Sequence, residues 1–333
     1  MNHSIVGFGV SGMILFLELM KSKTDCSTIC IFDPNWLGGD LVVKYGNVLS
    51  NTPWSKTRNV LSQYDFASSG INYGDSKYTM DDLMPVSDMA ICLMIVCTPF
   101  LKKVKQVTGF VKEILQLESC WQISVNETTM LSKNVYLCSG SDSKVIDLEI
   151  PNIPLEIALD LERLRHFVIA GEHVAVFGCS HSGLIIMKNL HTVGAIINGI
   201  YRGEKPFYYS RDGVYNGIKG DIVEFADNVN SIESIKLNCW NDPLKIHKIL
   251  SKCDKIVVAT GFKRRSFDLL GLGGTKIDGN NYDYKTGIID NKKGLYGCGI
   301  AYPGITTVDN IAYDDVGLQF FQQQIQTIML TSE

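Results

Sequence analysis

Two stretches of the chain carry glycines at spacings that suit phosphate binding. Residues 4–16, SIVGFGVSGMILF, place Gly7, Gly9 and Gly12 between a β-rich run and an apolar helical run. Gly7 permits a sharp turn, Gly9 lets a pyrophosphate approach the backbone, and Gly12 lets the helix pack closely on the strand. The free N–H groups of Val10 and Ser11, at the positive end of that helix, would hold the phosphates. The next β-rich run, STICIFD, ends in Asp33, 26 residues after Gly7, and Pro34 follows it. An acid at that distance is placed to accept hydrogen bonds from an adenosine ribose.

The second stretch, HVAVFGCSHSGLII at 173–186, repeats the strand, turn and helix with Gly178, Ser180 and Gly183. Ser180 takes the place of the middle glycine; it is small enough to leave room for phosphate, and its hydroxyl can donate to it. His181 and Ser182 sit on the same turn. His181 reads as a phosphate or nicotinamide contact or as a plain surface histidine. GCSHSG does not match the strand-to-helix elbow of serine hydrolases, so no nucleophile is assigned. The following run, AIINGIYR, ends in Arg202, 24 residues after Gly178, where the first loop has its acid. A cation there attracts a 2′-phosphate, with Lys205 close by in sequence. A charge-assisted hydrogen bond contributes about 1.5–3 kcal/mol, or roughly a 10- to 100-fold preference for NADPH over NADH. Opposite ribose readers on the two loops imply two dinucleotides: a resident FAD and a visiting NADPH that brings a hydride.

The elements that must position these residues follow from pattern. FVKEILQLESCWQISV (110–125) alternates as a hairpin does, and NVYLCSGS (134–141) is a buried strand ending in Ser139 and Gly140. KIVVATGF (255–262) has the same form and reaches Gly261. A strand that stops in a small residue and a glycine leaves space beside a bound nucleotide; Gly39, Gly299 and Ile300 join this set. A helix is expected over 314–330, capped by Asp314 and Asp315, with Val316 and Gly317 at an N-terminus aimed at the flavin. Residues 142–171, with two prolines, read as a linker containing a short helix. The expected fold is α/β with two Rossmann-like domains: a discontinuous FAD domain, 1–165 and 263–333, and an inserted NADPH domain, 170–262.

Bulk properties limit the function classes. The 333 residues carry a net charge of −4, with no basic block, which argues against nucleic acid or an anionic membrane as partner. No segment reads as a membrane span, since MAICLMIVC (89–97) is too short. Ten scattered cysteines match no zinc pattern, so no metal is expected, and they suit a reducing, cytoplasmic compartment. Cys92 and Cys97 stand close enough in sequence to raise a redox disulfide, although an apolar helix face is the simpler reading.

The order of these motifs resembles the two-dinucleotide-binding flavoproteins over nearly the whole chain, and within them the flavin-containing and N-hydroxylating monooxygenases. GCSHSG with Arg202 is similar to the NADPH site of that group, and YGNVLSNTPWSKT (45–57) resembles its Tyr…Ser-Leu-x-x-Asn-x-Pro segment. In that family the asparagine lies beside the flavin, which implies a stabilising role for Asn51 during oxygen activation, with Tyr45 and Trp54 as candidate pocket walls. The family's Phe-x-Gly-x-x-x-His fingerprint before the second loop is absent. The resemblance implies an FAD- and NADPH-dependent oxidoreductase acting on a small-molecule substrate, with oxygen or another electron acceptor. Two alternatives stay open: a flavin reductase that passes electrons elsewhere, and a non-catalytic dinucleotide-binding or interaction protein.

Overall fold

The apolar N-terminal run becomes β1 (His3–Val6) and α1 (Val10–Lys21). A computed structural model describes residues 1–64, 77–209, 217–308 and 310–332. After α1 come β2 (Ile29–Asp33), α2 (Asp40–Val43), β3 (Leu49–Pro53), α3 (Trp54–Leu61), β4 (Leu83–Pro85), α4 (Val86–Leu101) and β5 (Lys105–Thr108). Then follow β6 (Val111–Gln116), β7 (Trp121–Val125), β8 (Thr128–Ser132), β9 (Asn134–Leu137) and β10 (Ser141–Ser143). The middle of the chain forms β11 (Asn152–Ile153), α5 (Leu155–Ala158), α6 (Leu161–Leu164), β12 (His173–Phe177), α7 (His181–Thr192) and β13 (Ile196–Tyr201). It continues with α8 (Ile222–Asn228), β14 (Ile235–Cys239), α9 (Pro243–Leu250), β15 (Lys255–Val258) and β16 (Phe262–Arg264). The last part holds β17 (Asp268–Leu270), β18 (Leu295–Gly297), β19 (Gly304–Val308), β20 (Ile311–Asp315) and α10 (Leu318–Ser332).

The chain divides into two units: unit 1 is Met1–Ser141, Arg264–Thr306 and Asp314–Glu333, and unit 2 is Asp142–Lys263 and Thr307–Tyr313. Unit 1 is built on a parallel sheet in the order β18-β9-β1-β2-β5. Strands β2 and β9 are near-continuous apolar runs, as strands covered on both faces require, whereas the edge strand β5 is polar and mostly exposed. One face packs Ile5, Tyr136 and Tyr296 against α1, α4 and α10, through Met13, Leu17, Leu93, Val96, Ile325 and Ile328. The other packs Val6, Phe32 and Leu137 against Ile114, Trp121 and Ile123 of the small sheet β17-β6-β7-β8. The expected hairpin at 110–125 is the β6–β7 pair, extended by β8 into a meander.

Helix α1 is buried from Val10 to Met20, with one acid, Glu18, inside it. The Glu18 carboxylate accepts from Tyr64 Oη (2.7 Å), Gln326 Nε2 (2.9 Å) and Gln322 Nε2 (3.4 Å). A buried carboxylate survives only with such donors, and here they tie α10 and the segment after α3 to α1.

Unit 2 is a second parallel sheet, β11-β15-β12-β13-β14. Four of its strands, β15-β12-β13-β14, match β9-β1-β2-β5 of unit 1, with β12 in the central place of β1, while the outer strand β11 precedes the others in sequence where β18 follows them. The stretch expected as a linker belongs here instead: β11 fills the outer position, and α5 and α6 pack on α7, with Asn189 Nδ2 donating to Ala158 O at 3.1 Å. Unit 2 thus begins at Asp142 rather than near 170. The C-terminal helix also starts later than expected, at Leu318. Asp314 and Asp315 lie in β20, paired with β19, and the Gly317 carbonyl accepts the first helical bond from Phe321 N.

Candidate functional site

Both glycine loops sit at the carboxyl end of a central strand, where dinucleotides bind in such sheets. In the first, Gly7 has φ 95°, and its α-carbon lies against the Cys138 carbonyl at the end of β9. Gly12 in α1 packs its α-carbon onto the carbonyl of Gly7, so any side chain at either position would collide with backbone. Gly9 caps α1, and the Cβ it lacks would meet nothing nearer than 3.7 Å. No side chain caps the helix, although Val10, Ser11 and Gly12 are buried. A buried, uncapped first turn leaves N–H donors without partners, which suits an anion. The pyrophosphate of FAD fits this cradle.

Other segments of unit 1 close on the same loop. The α-carbon of Gly39 lies against that of Gly9, and Gly299 (φ 74°) packs on the Ser11 side chain. Ser139 Oγ is buried without a hydrogen-bond partner, and Gly140 takes φ 71° beside the Arg265 guanidinium. Arg265 donates to the Ser139 carbonyl at 3.2 Å and pairs with Asp40, which Lys44 also meets at 3.1 Å. Gln324 of α10 accepts from Gly299 N (3.1 Å) and donates to Tyr302 O (2.6 Å), holding the Gly299 turn. Arg265, Asp40 and Gln324 had no sequence signal beyond their neighbours: Asp40 follows Gly38-Gly39, and Arg265 closely follows Gly261.

Asp33 ends β2, and its carboxylate is engaged by the backbone of its own loop and of the glycine loop. Its Oδ2 accepts from Phe8 N at 2.7 Å, and Oδ1 accepts from Asn35 N (3.0 Å) and Trp36 N (2.8 Å). The residue is buried, so most of its acceptor capacity is spent on the backbone of its own loop. Pro34 follows it, half-buried. Ile300 and Val316 are exposed, and Gly317 precedes α10. Asn51 lies in β3, and its side chain is outside the described residues. Tyr45 and Trp54 are buried core residues, Trp54 packing on Tyr78.

The second loop repeats the first. Gly178 (φ 93°) lies against the Ala259 carbonyl at the end of β15, and Gly183 packs onto Gly178. Ser180 caps α7 without a side-chain bond, and Ser182 lies in the helix's first turn. His181 Nδ1 is buried with no partner. Burial lowers the pKa of His181, the Lys219 charge adds to this, and Asp221 opposes it. Gly261 (φ 96°) borders open space. Arg202 is exposed at the end of β13, and Lys205 lies over the Tyr208 ring at 5.6 Å. The second cradle thus fits the pyrophosphate of a dinucleotide.

Cysteine chemistry has little footing. All ten cysteines are free, and burial pushes the Cys179 thiol in the second loop up to about 12. Cys92 and Cys97 lie five apart on α4, on different sides of the helix, and Cys97 is fully buried. No group of metal ligands occurs among the described residues, and no helix among them is long and apolar enough to cross a membrane.

These two sheets and loops have the fold of the two-dinucleotide-binding-domain flavoproteins. The chain is 22% identical over 378 residues to the monooxygenase AgnR1 of Paecilomyces divaricatus, covering 97% of this chain and 96% of the relative. Among solved structures it resembles the flavin-containing monooxygenase of Stenotrophomonas maltophilia (TM-score 0.61, 13% identity, 100% and 99% of the two chains). The bacillithiol disulfide reductase of Staphylococcus aureus is also similar (TM-score 0.64, 14% identity, 99% and 97%). So is a cyclohexanone monooxygenase mutant from Rhodococcus bound to NADP+ (TM-score 0.63, 14% identity, 99% and 85%). No family model matches the chain.

Proposed function

We propose that the protein is an FAD-dependent, NADPH-using oxidoreductase of the monooxygenase kind, acting on a small molecule in a reducing compartment. The observation that carries this is the pair of matched cradles, each with an uncapped helix start at the centre of a parallel sheet, buried in unit 1 and partly exposed in unit 2. In unit 1, Gly7, Gly9, Val10, Ser11, Gly12 and Gly39 would hold the FAD pyrophosphate, with Ser139, Gly140 and Gly299 leaving room beside it. In unit 2, Gly178, Ser180, His181, Ser182 and Gly183 would hold the NADPH pyrophosphate, and Arg202 its 2′-phosphate, with Gly261 leaving room. Bound flavin supplies two-electron chemistry, taking a hydride equivalent from the nicotinamide and giving electrons to oxygen or another acceptor. The relative AgnR1 and two of the three structural neighbours carry the name monooxygenase, which supports oxygen as acceptor. Likeness to a disulfide reductase supports the alternative, electron delivery to another acceptor.

An absorbance spectrum tests the reading. The purified protein, loaded with FAD, is expected to be yellow, to bleach with NADPH under anaerobic conditions and to recolour in air. A colourless protein that takes up no FAD overturns it. Rapid NADPH consumption with no oxygenated product moves the assignment to the reductase.

A further inference from the structure

Trp36 adopts φ 57°, a left-handed conformation that a bulky side chain avoids unless its surroundings impose it. Two bonds impose it here. The Trp36 N–H donates to Asp33 Oδ1 at 2.8 Å, and the indole Nε1–H donates to Thr108 Oγ1 at 3.0 Å. Asp33 and Thr108 are the last residues of β2 and β5 and face each other in register. The indole is therefore tied over the carboxyl ends of two strands beside β1, on the side of the sheet where β2 follows the first glycine loop. The same Asp33 carboxylate holds Phe8 N of that loop, so ring and cradle hang on one side chain. The Trp36 ring packs on the buried Phe8 ring (5.8 Å between centroids) and stays half-buried itself.

Asp33 has thus given up three acceptor positions and has little left for a ribose. We propose that Trp36 is the adenosine reader of unit 1, its indole stacking on the adenine of FAD. This rests on the first loop being the FAD site. Stacking suits a base presented at the end of a strand, since it needs only a flat face and no free hydrogen-bonding group.

The experiment uses full-length apoprotein, ADP, FAD and FMN, with calorimetry and tryptophan emission as readouts. ADP carries the adenine and the pyrophosphate without a flavin, and FMN carries the flavin without the adenine. ADP is expected to quench the emission of the wild-type protein, and Trp36→Phe to abolish that quench while retaining affinity. Trp36→Ala is expected to raise Kd for ADP and FAD about 5- to 150-fold and to leave FMN binding unchanged. Wild-type affinity for ADP in Trp36→Ala, or a quench that persists in Trp36→Phe, overturns the proposal. Should Trp36→Ala fail to fold, the quench and its loss in Trp36→Phe decide. Wild-type protein that binds FAD but shows no ADP quench sinks the proposal alone. Wild-type protein that binds neither sinks the FAD reading as well.

Discussion

Gly12 and Gly183 hold matched places, each facing the carbonyl of the first glycine of its loop. Alanine at either must push helix from strand, so the two substitutions should separate the sites. Gly12→Ala is expected to lower the flavin retained per protein on purification. Gly183→Ala is expected to leave flavin content intact and raise KM for NADPH. For Arg202→Ala, KM for NADPH should rise roughly 10- to 100-fold while NADH is unaffected; steady-state kinetics with both nucleotides check this, and equal effects remove the 2′-phosphate assignment. His181 gives a pH dependence. Its folded-state pKa lies below the ordinary 6.5, so between the two values the unfolded chain binds a proton that the folded chain refuses. Stability therefore falls as pH drops below about 6.5, and urea titrations at pH 7.5 and 5.5 should show a smaller drop for His181→Gln. The glycines were legible because each answers one steric demand. The backbone donors of Asp33 were not, because spacing gives its distance from the loop but not which N–H groups reach its carboxylate.

At the scale of elements, α1 is held by its apolar length and by one polar knot. Glu18→Ala would leave the Tyr64 hydroxyl and the Gln326 amide short of an acceptor, while the Gln322 amide keeps Gln63 Oε1 and Tyr64 Oη. A loss of about 1–3 kcal/mol is expected in urea unfolding, with Glu18→Gln losing less because it keeps a carbonyl oxygen. The hairpin at 110–125 and the strands at 134–141 and 255–262 could be read from alternation and apolar runs. The start of α10 could not: Asp314-Asp315 looks like a cap, and only the pairing of β20 with β19 reassigns it. Residues 142–171 misled for a related reason. Two-residue β11 has no periodicity of its own and is a strand only because β15 offers it an edge.

For the whole molecule, two sheets that share the order of four strands, β9-β1-β2-β5 and β15-β12-β13-β14, explain why two loops with the same grammar lie about 170 residues apart. Ligand that binds only the folded state stabilises it, so FAD at about a hundred times its Kd should add roughly 2.7 kcal/mol, seen as a raised Tm. No shift with FAD would count against unit 1 as its site. The repeated architecture was visible in the motifs, whereas the three-part composition of unit 1 was visible only in outline. That composition governs synthesis. The five strands of unit 2 have all been made once Val258 leaves the ribosome, but unit 1 still lacks β18 and α10. The body encoded first must therefore close last, the α10 side of its α1 uncovered until α10 arrives, and a chain released after residue 263 should yield a protease-resistant core from unit 2 alone.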